Sequence, residues 1–309
     1  MSRKLIKISA IAALMGSSTI ADVPNVAVDI APLHSLVASV MNGIGVPNLI
    51  IPPGSSPHEH QLRPSEARAM QDADILFWMG EALTPWMKNA VDTLSSSASV
   101  TTLLENDKTI LLEFRDGALF EAHAHDDGEH DDHDDERGHG SKDPHAWLSP
   151  NNAKVWLNLI AAQLSSNDPD NAGAYSANSV STQSQINIMV AEINAILIPY
   201  KGRKFVVFHD AYQYFENDFY FYASGAISMS DASDPSPARI AKIQKRIRDE
   251  EINCVLAEPQ FKANLVQTVM EGSQANTNVI DPLGVGLKPG VSLYNKLIKN
   301  MAQSLADCF

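Results

Sequence analysis

The chain has 309 residues, of which 44% are hydrophobic, enough for a globular protein with two domains of ordinary size. Its formal net charge is -14 and its pI is near 5.0, which argues against nucleic acid or an anionic membrane surface as a partner. Much of the excess charge lies in residues 121–143, where ten acidic residues are opposed only by Arg137 and Lys142.

The N-terminus predicts a secretory signal peptide over residues 1–21. Arg3, Lys4 and Lys7 precede an apolar run over 8–14, and small residues follow up to Ala21. This order of basic, apolar and small residues is typical of a signal peptide, and the apolar run is too short to span a bilayer. The alternative is a short N-terminal helix in a cytosolic protein. We expect the mature chain to be soluble and exported.

Short strands and helices alternate after the signal, which predicts a mostly parallel sheet flanked by helices. The pattern indicates strands over 25–30, 48–51 and 74–79, and helices over 32–41, 65–71 and 82–94. A further helix begins at Pro150, with Ser149 as its cap, and runs to residue 164. We assign residues 22–171 to an N-terminal α/β lobe.

A tract rich in histidine and acid interrupts this lobe over residues 121–142. Its histidines are His123, His125, His130, His133 and His139. The tract has almost nothing apolar with which to fold, so we expect a disordered loop, and its side chains suit a divalent metal of borderline hardness. The predicted role is accessory, low-affinity metal capture, since a disordered chain must be ordered on binding. A solvated acidic loop without a metal role is the alternative.

Residues 172–198 predict one long helix, because their apolar positions recur at helical spacing. We expect the segment 172–200 to be a rigid helix of about 40 Å that links two lobes. Strands over 204–208, 254–257 and 278–280 and helices over 211–215, 236–250, 263–274 and 293–305 then form a C-terminal lobe, residues 201–309. The predicted fold class is α/β, with two similar lobes, mostly parallel sheets and a cleft between them.

The chain has two cysteines, Cys254 in a buried strand and Cys308 next to the C-terminus. In an oxidising compartment they predict a disulfide that fixes the C-terminus to this strand. The alternative is a pair of free thiols that serve a metal.

Four residues outside the tract are candidate metal ligands: His58, His145, His209 and Asp281. His58, His209 and Asp281 follow predicted strands, and His145 precedes the helix capped at Ser149. Ligands of open α/β sheets bind outside the carboxyl ends of strands. Three neutral imidazoles and one carboxylate form a closed four-coordinate set that suits Zn²⁺. Taken singly, a histidine after a strand is more often a hydrogen-bonded structural residue.

Three other residues near these ligands have weaker claims. Glu59 and His60 follow His58, so either of them could exchange into the site. His34 lies on an apolar face of a predicted helix, and we expect it to be a packing residue.

Six short blocks carry a family resemblance. They are residues 54–58 (GSSPH), 62–65 (LRPS), 143–150 (DPHAWLSP), 207–212 (VFHDAY), 257–261 (AEPQF) and 280–284 (IDPLG). In this order they resemble the ZnuA-like periplasmic zinc-binding proteins of ABC-type zinc importers, within the cluster A-I solute-binding proteins. The likeness runs from about residue 24 to the C-terminus.

The resemblance implies a non-enzymatic periplasmic protein that holds one Zn²⁺ in the cleft and delivers it to a membrane permease. It implies the ligands His58, His145, His209 and Asp281 and the Cys254–Cys308 disulfide. A monomer is expected, and a periplasmic metallochaperone is a candidate zinc donor. Manganese-binding relatives have glutamate where His209 stands, so the third imidazole favours zinc. Pro57 is a departure, since some zinc-binding members have an acidic ligand there.

Two other functions compete with this interpretation. A secreted zinc hydrolase needs three ligands, an open position for water and a general base, and the chain has no His-Glu-x-x-His segment. A periplasmic zinc buffer or chaperone would use the tract as its main site and have no transporter partner.

Overall fold

The computed structural model describes residues 23–115, 119–120, 142–228, 235–260 and 263–309. The predicted signal peptide and all five histidines of the tract lie outside the described residues.

Two sheets of four parallel strands form the framework of the described part of the chain. The N-terminal sheet consists of β1 Val26–Val28, β2 Asn48–Leu49, β3 Ile75–Trp78 and β4 Ser99–Thr102, and the C-terminal sheet of β5 Phe205–His209, β6 Ala226–Ser228, β7 Cys254–Ala257 and β8 Asn276–Val279. The strand orders are β2-β1-β3-β4 and β6-β5-β7-β8, so the two sheets share one topology. The predicted α/β class with two similar lobes is therefore confirmed.

Helices pack on both sheets. They are α1 Ala31–Val40, α2 Pro64–Gln71, α3 Lys88–Leu94, α4 Pro150–Asn167, α5 Ala172–Leu197, α6 Gln213–Phe219, α7 Pro237–Asp249, α8 Ala263–Met270 and α9 Leu293–Cys308. None of the helices within the described ranges is both long and apolar enough to cross a bilayer.

The central strands are apolar along their whole length, as expected of parallel strands covered on both faces. Every residue of β3 and β5 is buried. In β5, Phe205 and Val207 join a large core that is continuous through both lobes, whereas Val206 and Phe208 join a smaller core on the opposite face. The alternation follows from the two-residue repeat of a strand. It orients β5 so that its last residue, His209, is held at the carboxyl edge of the sheet.

Helices α5 and α9 connect the two lobes. The Nδ2 atom of Asn178, in α5, donates to the carbonyl oxygens of Val40 and Asn42 in the N-terminal lobe, at 2.9 Å each. Further along α5, Glu192 pairs with Lys299 of α9. Helix α9 packs on α1 in turn, since the Ser35 hydroxyl accepts the Tyr294 N–H at 3.0 Å. These contacts join α5 and α9 to each other and to the N-terminal lobe.

The predicted disulfide is present, between Cys254 at the start of β7 and Cys308 at the end of α9. The two residues are 54 positions apart. A cross-link that closes a loop of this size contributes about 4 kcal/mol in the chain-entropy model.

Two strands were not predicted, and three helices differ clearly from their predicted bounds. Helix α6 lies at Gln213–Phe219 instead of 211–215, α8 ends at Met270 instead of 274, and α3 begins later than predicted. The edge strands β4 and β6 were not predicted, because β4 follows a serine-rich stretch and β6 has only three residues. The helix predicted over 82–94 is α3, which begins only at Lys88 after a short 3-10 turn at Pro85–Met87. A proline is well tolerated in a first turn but not further inside a helix, so residues 82–84 stay outside the element.

Candidate metal centre

His209 is held at the carboxyl edge of the C-terminal sheet by the neighbouring strand. Glu258 directly follows β7, and its Oε1 atom lies 2.6 Å from His209 Nδ1 and 3.3 Å from the His209 backbone nitrogen. Both side chains are buried. An ionised carboxylate only accepts hydrogen bonds, so the Nδ1 atom carries the ring proton and the lone pair is on Nε2.

His145 is oriented in the same way by a carboxylate two residues earlier in the chain. Asp143 Oδ1 lies 2.7 Å from His145 Nδ1 and 3.0 Å from its backbone nitrogen. Gln213 donates to the other carboxylate oxygen at 3.3 Å. Burial raises the pKa of Asp143 to about 6, against the lowering effect of the His145 amide. In its ionised form this carboxylate only accepts hydrogen bonds, so it also directs the proton of His145 to Nδ1.

His58 completes a row of three imidazoles that spans both lobes. The loop after β2 carries it, and this loop is fixed by a hydrogen bond from Trp86 Nε1 to the Pro57 carbonyl oxygen at 2.7 Å. The ring centroids of His58 and His145 are 5.5 Å apart, and those of His145 and His209 are 5.3 Å apart. The three rings are therefore direct neighbours.

The distance between two of the ring nitrogens matches a zinc site. Nε2 of His58 and Nε2 of His145 are 3.4 Å apart. Two nitrogen ligands at about 2.0–2.1 Å from a tetrahedral zinc ion lie roughly 3.3–3.4 Å from each other. These two imidazoles thus have the spacing of two corners of a zinc tetrahedron.

The three histidines line a small cavity between the lobes. Its walls are Pro57, His58, His145, Trp147, His209, Glu258, Gln260, Pro282 and Leu283. The space is about 10 Å³ for the centre of a water-sized sphere, which is the room of roughly one water molecule. A cavity of this size suits a single ion or water molecule.

Asp281 is near the cavity but does not line it. Its Oδ1 atom accepts the amides of Leu283 and Gly284, at 3.0 and 2.9 Å, and its Oδ2 atom accepts the amide of Val285 at 2.6 Å. In this conformation the carboxylate holds the turn after β8. Within the described ranges, no three or more histidine, cysteine or acidic side chains are arranged as a complete metal site.

A partly buried arginine of the other lobe supports the His209 loop. Arg115 Nε donates to Asp210 Oδ1 at 3.0 Å, and Arg115 Nη1 donates to Glu216 Oε2 at 2.6 Å. The guanidinium also lies over the Phe120 ring, 3.6 Å from its centroid. Since Asp210 directly follows His209, this pairing fixes the loop that begins at the histidine.

The remaining described histidines have structural partners. His60 Nε2 lies 2.8 Å from Glu66 Oε2, and the His60 ring packs edge-on against Trp86. His34 is buried in α1 with Nε2 3.0 Å from the Pro47 carbonyl oxygen, and burial lowers the pKa of His34. The packing role predicted for His34 agrees with this placement. Glu59 is exposed to solvent.

Sequence reasoning missed three residues of this centre: Asp143, Glu258 and Gln260. Each lies inside a block that carries the family resemblance. Asp143 could have been found, because an acidic residue two positions before a histidine can reach its Nδ1 atom. Glu258 needed the pairing of β5 with β7, which makes the ends of these strands neighbours. No sequence pattern marks Gln260 as part of the site, because a glutamine two residues after Glu258 is an ordinary loop residue.

The chain resembles proteins of zinc uptake along nearly its whole length. The sequence model of the family described as ZnuA, zinc-uptake complex component A periplasmic, matches residues 26–308. The high-affinity zinc uptake system protein ZnuA of Brucella abortus is 40% identical over 96% of this chain and 95% of its own length. The protein of the same name from Paracoccus denitrificans is 38% identical over 96% of each chain.

Solved structures share the fold at lower sequence identity. A crystal structure of ZnuA superposes with a TM-score of 0.75 at 20% identity and covers 93% of this chain and 99% of its own. The solute-binding protein FpvC of Pseudomonas aeruginosa, in complex with Mn²⁺, superposes with a TM-score of 0.77 at 18% identity and covers 93% and 98%.

Proposed function

Because the chain belongs to the ZnuA family of periplasmic zinc-uptake components, we propose that it captures Zn²⁺ in the cleft between its lobes and delivers it to the permease of an ABC transporter. Zinc is the cargo of this protein and not a resident cofactor. The family consists of solute-binding proteins rather than enzymes, so a hydrolase is not proposed. The predicted signal peptide over residues 1–21 supports export to the periplasm.

The proposed ligands are the Nε2 atoms of His58, His145 and His209. Support comes from the 3.4 Å between the first two of these atoms and from the carboxylates on Nδ1 of His145 and His209. A carboxylate on Nδ1 fixes the tautomer and makes the opposite nitrogen a better ligand. Three imidazole donors favour zinc over harder cations such as Mn²⁺.

Asp281 is the proposed fourth ligand. Its Oδ2 atom accepts one amide, and an ionised carboxylate oxygen can accept about two hydrogen bonds or metal contacts. A rotation about the side-chain bonds is needed, because Asp281 does not line the cavity in this conformation. The four residues together form a closed set, two from each proposed lobe, 22–171 and 201–309, linked by the helical segment 172–200.

The tract is proposed as an accessory. Five histidines among acids, inserted just before Asp143 and His145, would bind zinc weakly and raise its concentration near the cleft. They could also receive zinc from a periplasmic metallochaperone. A variant that lacks residues 122–140 should keep the tight site and lose only weaker binding, measured by zinc calorimetry. If this variant lost tight zinc binding, the primary zinc site would lie in the tract and not in the cleft.

One observation carries the ligand assignment: three imidazoles from both lobes, of which His145 and His209 are buried, line one small cavity. The test is zinc affinity, by competition with a chelator, in His209→Ala and in the control His60→Ala. If the roughly 10–16 kcal/mol of a four-ligand zinc site is shared equally, the first change weakens binding on the order of 100-fold to 1000-fold. His60→Ala should bind as the unaltered chain does. Tight binding by His209→Ala would refute the ligand set.

A further inference from the structure

Gln260 contributes an unusual polar group to the wall of the zinc cavity. It lies two residues after Glu258, in the loop that leaves β7, and lines the cavity together with the three imidazoles. Both of its amide atoms, Oε1 and Nε2, are buried, and neither has a hydrogen-bond partner in the part of the chain that the structure describes.

Such an amide is costly unless something in the cavity pairs with it. More than nine in ten buried polar groups in proteins have a hydrogen-bond partner, and a primary amide both donates and accepts. A hydrophobic residue would fill this part of the cavity wall without burying an unpaired polar group. The position therefore suits a ligand that brings its own polar atoms into the cavity.

The chemistry of the proposed centre limits what this partner is. An imidazole bound to zinc through Nε2 and to a carboxylate through Nδ1 has no acceptor left for the amide. The remaining atom within the metal's coordination sphere is an oxygen at the fourth position, from a carboxylate or from water. An amide N–H can donate to a water oxygen there, or to the Asp281 carboxylate once its rotation towards the metal has released one of the three backbone amides.

We propose that Gln260 is a positioning residue whose Nε2–H donates to the oxygen ligand in the fourth coordination position of the bound metal. The inference rests on the proposed ligands His58, His145 and His209. The amide holds the oxygen in place without adding negative charge to a centre that already contains Glu258 and Asp143. A neutral group at this position preserves the preference for zinc, because an added carboxylate would suit harder cations.

Two substitutions in the full-length protein test the role. Gln260→Leu should weaken zinc binding about tenfold, as loss of a partner that orients a ligand typically does. The metal-free form of this variant should be at least as stable to heat as the unaltered chain, because an unpaired buried amide has been removed. A purely structural glutamine would give the opposite result for the metal-free protein. Gln260→Glu should lower the ratio of zinc to manganese affinity.

The matched control is Gln303→Leu, an exposed glutamine of α9, which should leave affinity and selectivity unchanged. X-ray absorption at the zinc edge should give the same number of close ligands in Gln260→Leu as in the unaltered protein. A lost oxygen neighbour would make Gln260 a direct ligand and overturn its positioning role. Unchanged zinc affinity in Gln260→Leu would also overturn it. If His209→Ala itself still binds zinc tightly, the proposed ligand set fails first.

Discussion

In the N-terminal sheet a buried carboxylate at the ends of the central strands binds backbone amides, whereas its counterpart in the C-terminal sheet also binds an imidazole. Asp29 follows β1, and it accepts the Ile30 amide at 2.7 Å and the Met79 amide at 2.8 Å. Glu258 follows β7 and accepts the backbone and ring of His209. In each lobe the carboxylate bridges the ends of two adjacent parallel strands.

The difference shows that the same strand arrangement can either satisfy backbone amides alone or also orient a metal ligand. The carboxyl ends of parallel strands expose amides that need acceptors, and a buried acid satisfies them in both lobes. In the C-terminal lobe β5 ends in a histidine, so the same device also orients a metal ligand. In the N-terminal lobe the imidazoles come instead from loops, at His58 and His145. We expect changes in the two carboxylates to have different consequences.

The largest expected effect is on stability, and it arises from the C-terminal lobe. Both cysteines of the chain are in this lobe, and replacing Cys254 and Cys308 by serine should lower the free energy of unfolding by about 4 kcal/mol. Zinc affinity should not change, because Cys254 is at the amino end of β7, away from Glu258. Denaturant unfolding and chelator competition measure the two quantities. If the variant kept the free energy of unfolding of the unaltered chain but bound zinc weakly, the disulfide would instead support the metal site.

The second prediction concerns Glu258. Glu258→Gln should weaken zinc binding about 10-fold to 100-fold, since a neutral amide oxygen accepts the Nδ1 proton of His209 less strongly than a carboxylate and makes Nε2 a poorer ligand. Chelator competition gives the affinity. Asp29→Asn is the matched control in the other lobe and should leave zinc affinity unchanged. Equal losses in the two variants would mean that both carboxylates act only through the stability of the fold.

The third prediction concerns the pH dependence of stability through Asp29. Burial raises the pKa of Asp29 from 3.8 to about 7, against the lowering effect of the Met79 and Ile30 amides. The folded state therefore holds this proton more tightly than the unfolded state. As a result, the contribution of Asp29 to the free energy of unfolding decreases as pH rises from about 4 to about 7.

Asp29→Asn should make that decrease shallower. At pH 7 the variant should also lose roughly 1–2 kcal/mol, because the amide cannot accept both N–H groups. Denaturant unfolding of the metal-free protein at several pH values measures both effects. An unchanged slope would show that Asp29 does not titrate over this range.

The fold was predictable where the hydrophobic pattern of a segment agrees with the turn and capping residues at its ends. Buried runs such as 75–78 and 205–208 indicated central strands, and the helical repeat in residues 172–198 indicated α5 within one residue at its end. The edge strand β4 was not predictable in this way, because Ser99 and Val100 are exposed and its residues show no apolar alternation. Edge strands are specified by pairing with a neighbour, which a single segment does not reveal.

The candidate site was predictable in part, for a similar reason. The three imidazoles could be found because each stands at a strand end or a helix start. Their supporting groups depend on contacts between distant segments, such as residues 209 and 258. Asp281 illustrates the limit: its position after β8 was predicted, but not that its carboxylate would accept the amides of three following residues.

The most direct test of the account is the position of bound zinc. Crystals of the full mature chain with one equivalent of zinc should give one strong anomalous peak at the zinc edge. We expect this peak about 2.0–2.1 Å from Nε2 of His58, His145 and His209. A peak away from these three imidazoles, or bound by residues of the tract alone, would contradict the assignment of the cleft as the zinc site.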